Sequence, residues 1–113
     1  MKKIEAIIKP ARVEEIKKAL EKAGYPSLTI TEVKGRGKQR GVKQVISRGK
    51  AYVVDILPKL KIEVTVQDEK ADEVVGIIHQ SARTGDIGDG KIFVLPVEKV
   101  LRIRTGEVNG DAV

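Results

Sequence analysis

Two hydrophobic periods alternate along this chain. In residues 2–9, Ile4, Ala6 and Ile8 occupy every second position between polar neighbours, the period of a strand buried on one face. Pro10 ends that run. Val13, Ile16, Leu20 and Ala23 then recur at helical spacing, with Glu14, Glu15, Lys17, Lys18, Glu21 and Lys22 on the outer side. Gly24 and Pro26 stop the helix. Residues 28–33, rich in Thr, Ile and Val, read as a second strand. Residues 34–52 keep neither period. Leu60, Ile62, Val64 and Val66 then alternate with Lys61, Glu63, Thr65 and Gln67 as a third strand. Asp68, Glu69, Asp72 and Glu73 place negative charge where a helix N-terminus favours it, and Ala71, Val74, Val75, Ile78 and Ala82 form that helix's buried stripe. Residues 92–95 make a fourth strand. A short segment, residues 100–104, precedes a polar C-terminal tail, residues 105–113.

The order is β-α-β, a long loop over residues 36–55 between strands two and three, then β-α-β. Two such units predict an α+β ferredoxin-like (βαβ-βαβ) antiparallel sheet with both helices on one face, in a single domain spanning residues 1–113. The other face of the sheet must be half-polar or covered, and oligomerisation is one way to cover it.

Composition narrows the setting. With 41% hydrophobic and 34% charged residues the chain has the balance of a soluble domain. The absence of cysteine excludes disulfides and thiolate metal sites. No apolar run approaches the roughly 20 residues of a membrane span, and no signal-peptide pattern opens the chain, so the expected home is the cytoplasm. A net charge of +6 favours anionic partners.

Three stretches stand apart from the core pattern. Thr84-Gly-Asp-Ile-Gly-Asp-Gly-Lys91 carries three glycines and ends in a lysine. Bare amides beside a cation suit a phosphate, and the same residues suit a tight connection into a strand. The spelling G-x-x-x-x-G-K imitates a Walker A loop, but Ile92 stands where that loop needs Ser or Thr, and the stretch runs from helix to strand rather than from strand to helix. Arg102 and Arg104 alternate with Leu101 and Ile103, so at strand spacing both guanidinium groups share one side. Between Val33 and Asp55 the chain holds Lys34, Arg36, Lys38, Arg40, Lys43, Arg48 and Lys50 without an acidic residue. About 20 residues without regular structure in a compact domain are usually functional or disordered. A basic glycine-rich loop could grip nucleic acid, but 3% aromatics and no basic helix provide neither base stacking nor groove reading. His79 has no second histidine or cysteine with which to share a metal and reads as a boundary residue. No Ser-His-Asp set or close carboxylate pair emerges.

Taken together these residues resemble the PII signal-transduction proteins. The resemblance rests on the glycine stretch through Ile92-Phe-Val94, on Arg102-Ile-Arg-Thr-Gly106, and on Lys3-Ile-Glu-Ala-Ile-Ile-Lys-Pro10. Thr31-Glu-Val-Lys-Gly35 and Leu57-Pro-Lys-Leu-Lys-Ile-Glu63 add to it, in order over nearly the whole chain. It implies a homotrimer that binds ATP or ADP in clefts between subunits and senses 2-oxoglutarate together with Mg²⁺ and ATP. It further implies control of protein targets, such as an ammonium transporter or nitrogen-assimilation and nitrogen-fixation enzymes or regulators, through the protruding flexible loop. Such a protein is a regulator and not an enzyme, with slow ATP hydrolysis left open as a side activity. It meets no nucleic acid directly, and the membrane only through a transporter.

By position, the resemblance places the nucleotide's phosphates against Thr84, Gly88, Asp89, Gly90 and Lys91, with Arg102 and Arg104 arriving from the adjacent subunit. Ile7, Thr29, Gly35, Gly37, Lys38, Glu63 and Thr65 match the rest of the nucleotide site. Gln39 matches the magnesium ligand. Lys59 matches the partner of a 2-oxoglutarate carboxylate, and Gly37, Lys38, Gln39, Arg40 and Gly41 complete that site. Tyr52 occupies the position of a tyrosine that is uridylylated in some relatives, within Ile46-Ser-Arg-Gly-Lys-Ala-Tyr52, whose neighbouring residues differ from theirs. A seryl modification position falls on Lys50, with Ser47 nearby. The root Gly35-Arg-Gly-Lys-Gln-Arg-Gly41 is similar to a branch associated with nitrogen fixation. Lys38 stands where arginine is common and Ala11 where phenylalanine is frequent.

Overall fold

The computed structural model describes residues 1–37, 43–54 and 56–113, with 43–47 and 51–54 described by their backbone alone. Strands β1 (Lys2–Ile8), β2 (Thr29–Gly35), β5 (Leu57–Val66) and β6 (Lys91–Pro96) form one four-stranded sheet in the order β2-β5-β1-β6. All three pairings are antiparallel. Helices α1 (Val13–Lys22) and α2 (Ala71–Ala82) each begin from a short 3₁₀ turn, Pro10–Arg12 and Asp68–Lys70. This is the expected ferredoxin-like α+β arrangement. Pro10 opens the first turn because its missing N–H falls where a helix start needs none.

Strand period and helix stripe meet in one core. Ile4, Ala6 and Ile8 of β1 and Ile62, Val64 and Val66 of β5 pack against Ile16 and Leu20 of α1 and Ala71, Val74, Ile78 and Ala82 of α2. Because side chains alternate across a strand, the opposite face of the sheet carries Lys3, Glu5 and Ile7 of β1. The pairing register sets Thr65, Glu63 and Lys61 beside them, with Leu95, Phe93 and Lys91 on the far side. No helix among the described residues covers this face. Its charges neutralise one another instead: Lys61 pairs with Glu5 at 3.2 Å and Glu63 at 3.5 Å, and Lys3 pairs with Glu63 at 3.1 Å. The Lys3 hydrogen bond, helped by these charges, holds the Glu63 carboxyl below its ordinary range against the opposing effect of burial.

Two expectations change. Residues 34–52 are not without regular structure: β2 continues to Gly35, and β3 (Lys43–Ser47) pairs antiparallel with β4 (Lys50–Val54) as a separate two-stranded ribbon. Arg48 and Gly49 join them with φ of 52° and 75°, the positive values of a two-residue hairpin turn. That turn sets the register, and hydrophobic periodicity does not detect it. Residues 100–104, in turn, are not a strand. Gly106, at φ 72°, reverses the chain; its amide donates to the Arg102 carbonyl and the Arg102 amide donates to the Glu107 carbonyl, both at 2.8 Å. A lone bridge, Leu101 to Val108, is all the pairing this segment has among the described residues. Arg102 and Arg104 therefore lie on a tight turn and not on one side of a strand.

Candidate functional site

The glycine stretch connects the end of α2 to β6. Gly85, Gly88 and Gly90 all have φ of 90° to 96°, a region that L side chains avoid. At Gly90 the requirement is also steric. A Cβ there would lie 1.7 Å from the Ile7 carbonyl oxygen, so the loop enters β6 with its backbone pressed against β1.

Asp89 organises the turn. Its carboxylate accepts from the amides of Thr84 at 3.0 Å and Gly85 at 2.9 Å, and from the Thr84 hydroxyl. The Thr84 hydroxyl accepts in turn from the Asp86 amide at 3.2 Å and from Lys9 Nζ at 3.1 Å. Lys9 Nζ also pairs with Asp89 at 3.2 Å. The Thr84 hydroxyl bond, joined by the two amides and Lys9, pushes the Asp89 carboxyl far below the usual carboxylate range even though burial opposes it. Among the described residues no side chain accepts from the Gly88 or Gly90 amide.

Lys59 reaches the same loop from β5, donating to the Gly88 carbonyl at 2.5 Å. Burial pulls its ammonium pKa down, the Lys9 charge adds to that, and Asp89 opposes it. Two lysines thus converge on Gly88: a Cβ at that residue would meet Lys59 Nζ at 3.2 Å and Lys9 Cε at 3.6 Å. Behind the loop a cavity of about 310 Å³ is lined by Ile7, His79, Arg83, Gly90 and Lys91 among others. Arg12 fixes the approach to the loop, donating from Nε and Nη2 to the Ser81 carbonyl at 3.1 and 2.7 Å and so satisfying an orphan carbonyl in the last turn of α2.

The sheet gathers most of the residues singled out from the sequence. Ile7 is paired with Lys91, Thr29 with Glu63 and Lys3 with Thr65, which puts Ile7, Thr29, Glu63, Thr65 and Lys91 on the uncovered face. Gly35 sits at the end of β2 beside the Lys59 stem. Gly37 lies just beyond β2. Lys38, Gln39, Arg40 and Gly41 lie outside the described residues, as do the side chains of Ser47 and Tyr52.

Arg102 and Arg104 are not brought to the loop within this chain. Arg102 pairs with Glu107 at 3.2 Å inside its own turn, where Ile103 is 95% exposed. Exposed His79 joins no cluster of metal-binding side chains among the described residues. The sequence motifs do not single out Lys9 or Arg12 as site residues. Lys9 continues the Lys3, Glu5, Ile7 alternation by one step, a signal that was available; Arg12 left none, because its partner is a backbone carbonyl.

Comparison with known proteins bears on this geometry. A family model described as nitrogen regulatory protein P-II matches residues 1–107. The chain is 56% identical to the nitrogen regulatory protein P-II of Azospirillum brasilense and 55% identical to that of Rhizobium meliloti, over all 113 residues and the full length of each. It is also 56% identical to the nitrogen regulatory protein P-II 2 of Methanothermobacter thermautotrophicus, over the whole chain and 97% of that protein.

Proposed function

The chain belongs to the P-II family of nitrogen regulatory proteins, and on that premise we propose that it is a trimeric sensor of adenine nucleotide and 2-oxoglutarate. The observation that carries this reading is the loop of residues 84–91. It offers the amides of Gly88 and Gly90, which no side chain among the described residues occupies, beside Lys91 and on the face that holds Ile7, Thr29, Glu63 and Thr65. Thr84, Gly88, Asp89, Gly90 and Lys91 form the phosphate wall, and Ile7, Thr29, Gly35, Gly37, Lys38, Glu63 and Thr65 surround the rest of ATP or ADP. Several cations and amides are what a chain of three phosphates needs.

Arg102 and Arg104 complete the site from a neighbouring copy. Their turn carries exposed Leu101, Ile103 and Val108, apolar surface that a second subunit would remove from water. Lys59 receives one carboxylate of 2-oxoglutarate; its ammonium already lies beside Lys9, and an anion there relieves their mutual repulsion. Gly37, Lys38, Gln39, Arg40 and Gly41 take the remainder, with Gln39 as the protein ligand to Mg²⁺. Gln39 is the residue that would hold the metal, whose charge would offset that of the phosphates. Effector and target engage the same loop, residues 36–55, so their affinities are coupled reciprocally. The readout is the shape of that loop, offered in the cytoplasm to a protein partner such as an ammonium transporter or a nitrogen-metabolism enzyme, with Tyr52 as a candidate modification site. The protein acts as a regulator and not as a catalyst.

Isothermal titration tests this. ATP should bind, and 2-oxoglutarate should tighten it only with Mg²⁺ present; no heat with ATP overturns the reading. Lys91→Ala and Arg102→Ala should each weaken ATP by about 1.5–3 kcal/mol, the loss of one charge-assisted contact. Light scattering giving a monomer would remove the intersubunit cleft.

A further inference from the structure

We propose that Lys9, Asp89 and Thr84 form a clasp that shapes the glycine loop for phosphate, with the Lys9 and Asp89 side chains acting as positioning groups that do not themselves touch the nucleotide. This rests on the nucleotide reading above and gives Asp89 and Thr84 their place in the phosphate wall through the loop backbone they shape, not through their side chains.

The donors around Asp89 carry the argument. An ionised carboxylate offers about four acceptor sites and no donor. Two amides, the Thr84 hydroxyl and Lys9 Nζ occupy them, all from within the loop or its sheet support. The Thr84 hydroxyl is equally occupied: it gives its one proton to Asp89 and accepts from Lys9 and the Asp86 amide. Neither side chain retains a free group to offer a phosphate, and a bare carboxylate beside one would repel it. The Lys9 ammonium offsets that charge while tying the loop to the end of β1, where Pro10 follows and restrains the backbone.

The clasp also closes the ring from residue 84 to residue 89. Asp89 lies between Gly88 and Gly90, whose φ values of 91° and 96° depend on how the residue between them is held. Lys59 fastens the same turn from the other side through the Gly88 carbonyl. With the carboxylate held on the Thr84 and Gly85 amides, the amides of Gly88 and Gly90 remain for a ligand. Preorganised donors of this kind bind without the cost of ordering the loop.

The test uses the full chain with Lys9→Met, Lys9→Arg and Asp89→Ala. Titration with ATP and with adenosine separates phosphate positioning from general damage, and hydrogen exchange of the unliganded protein reports on the clasp directly. Lys9→Met and Asp89→Ala should weaken ATP about tenfold or more and leave adenosine affinity unchanged. Lys9→Arg, which keeps the ion pair, should restore ATP binding. The Thr84 and Gly85 amides should exchange faster in Asp89→Ala. Equal losses for ATP and adenosine, or unchanged ATP affinity in both disrupted variants, would overturn the positioning role. Unchanged exchange at Thr84 and Gly85 in Asp89→Ala would overturn the clasp itself. Wild-type protein silent to ATP would instead overturn the nucleotide reading, and the phosphate role with it.

Discussion

Replacing Gly90 with alanine should damage this protein more than the same change at either neighbouring glycine. Two costs add at Gly90. Its φ of 96° is forbidden ground for a Cβ, at about 1–2 kcal/mol. The new methyl would also lie 1.7 Å from the Ile7 carbonyl oxygen and 2.7 Å from its carbon. Both atoms are backbone held in the β1 pairing, so no rotamer change relieves the contact. The strand start must retreat, which costs about 1–3 kcal/mol in the manner of an overpacked core. The sum is about 2–5 kcal/mol, a large fraction of the roughly 5–15 kcal/mol that holds a domain together.

Gly85 and Gly88 serve as internal controls. Gly85 has φ 90° and open space around it, and at Gly88 the nearest obstacle is the movable end of Lys59. Each should lose only the conformational part, about 1–2 kcal/mol. Urea unfolding followed by circular dichroism measures all three, with the slope m checked for constancy. At about 4 °C per kcal/mol for a chain of this size, Gly90→Ala should melt some 8–20 °C below the parent. A Gly90→Ala midpoint equal to that of Gly85→Ala would refute the steric argument.

Other consequences are simpler to state. Arg12→Met should cost about 1.5–3 kcal/mol, because two charged hydrogen bonds to the Ser81 carbonyl disappear from the end of α2; chemical denaturation would show it, and an unchanged midpoint would show the cap to be idle. Tyr25 donates to Glu73 at 2.5 Å, linking the end of α1 to α2. That hydrogen bond raises its pKa, with burial and the Glu73 charge adding to it. A raised pKa favours the protonated form on folding, so this contribution is complete below the ordinary tyrosine value near 10 and is lost as the pH rises through the folded value. Melting temperature followed from pH 9 to 12 should fall more steeply in the parent than in Tyr25→Phe, and parallel curves would count against the link.

Local pattern carried much of the fold. The alternation of Ile4, Ala6 and Ile8, that of Ile62, Val64 and Val66, and the helical stripes through Ile16, Leu20, Val74 and Ile78 are each short-range. Those residues are the buried core of the structure. The glycine stretch was also visible, because conformational freedom beside a lysine is written in consecutive residues. Local pattern misled at residues 100–104, where Gly106 turns the chain before a strand can pair. It was silent on the ribbon of residues 43–54, whose register comes from a two-residue turn.

For the polar side chains that reach across the fold, such as Lys9, Arg12 and Lys59, the partners were decided by tertiary structure alone. An aspartate in a glycine loop reads as part of a phosphate site until topology brings Lys9 from the end of β1 onto an oxygen that the Thr84 hydroxyl already shares. Gly90 reads as a turn residue until β1 is seen to press its backbone against the space where a side chain would be. Hydrophobic burial repeats with the backbone, and so it leaves a period in the sequence. A hydrogen bond between residues far apart has no period, and only the folded sheet, by fixing which strands are neighbours, chooses the partner.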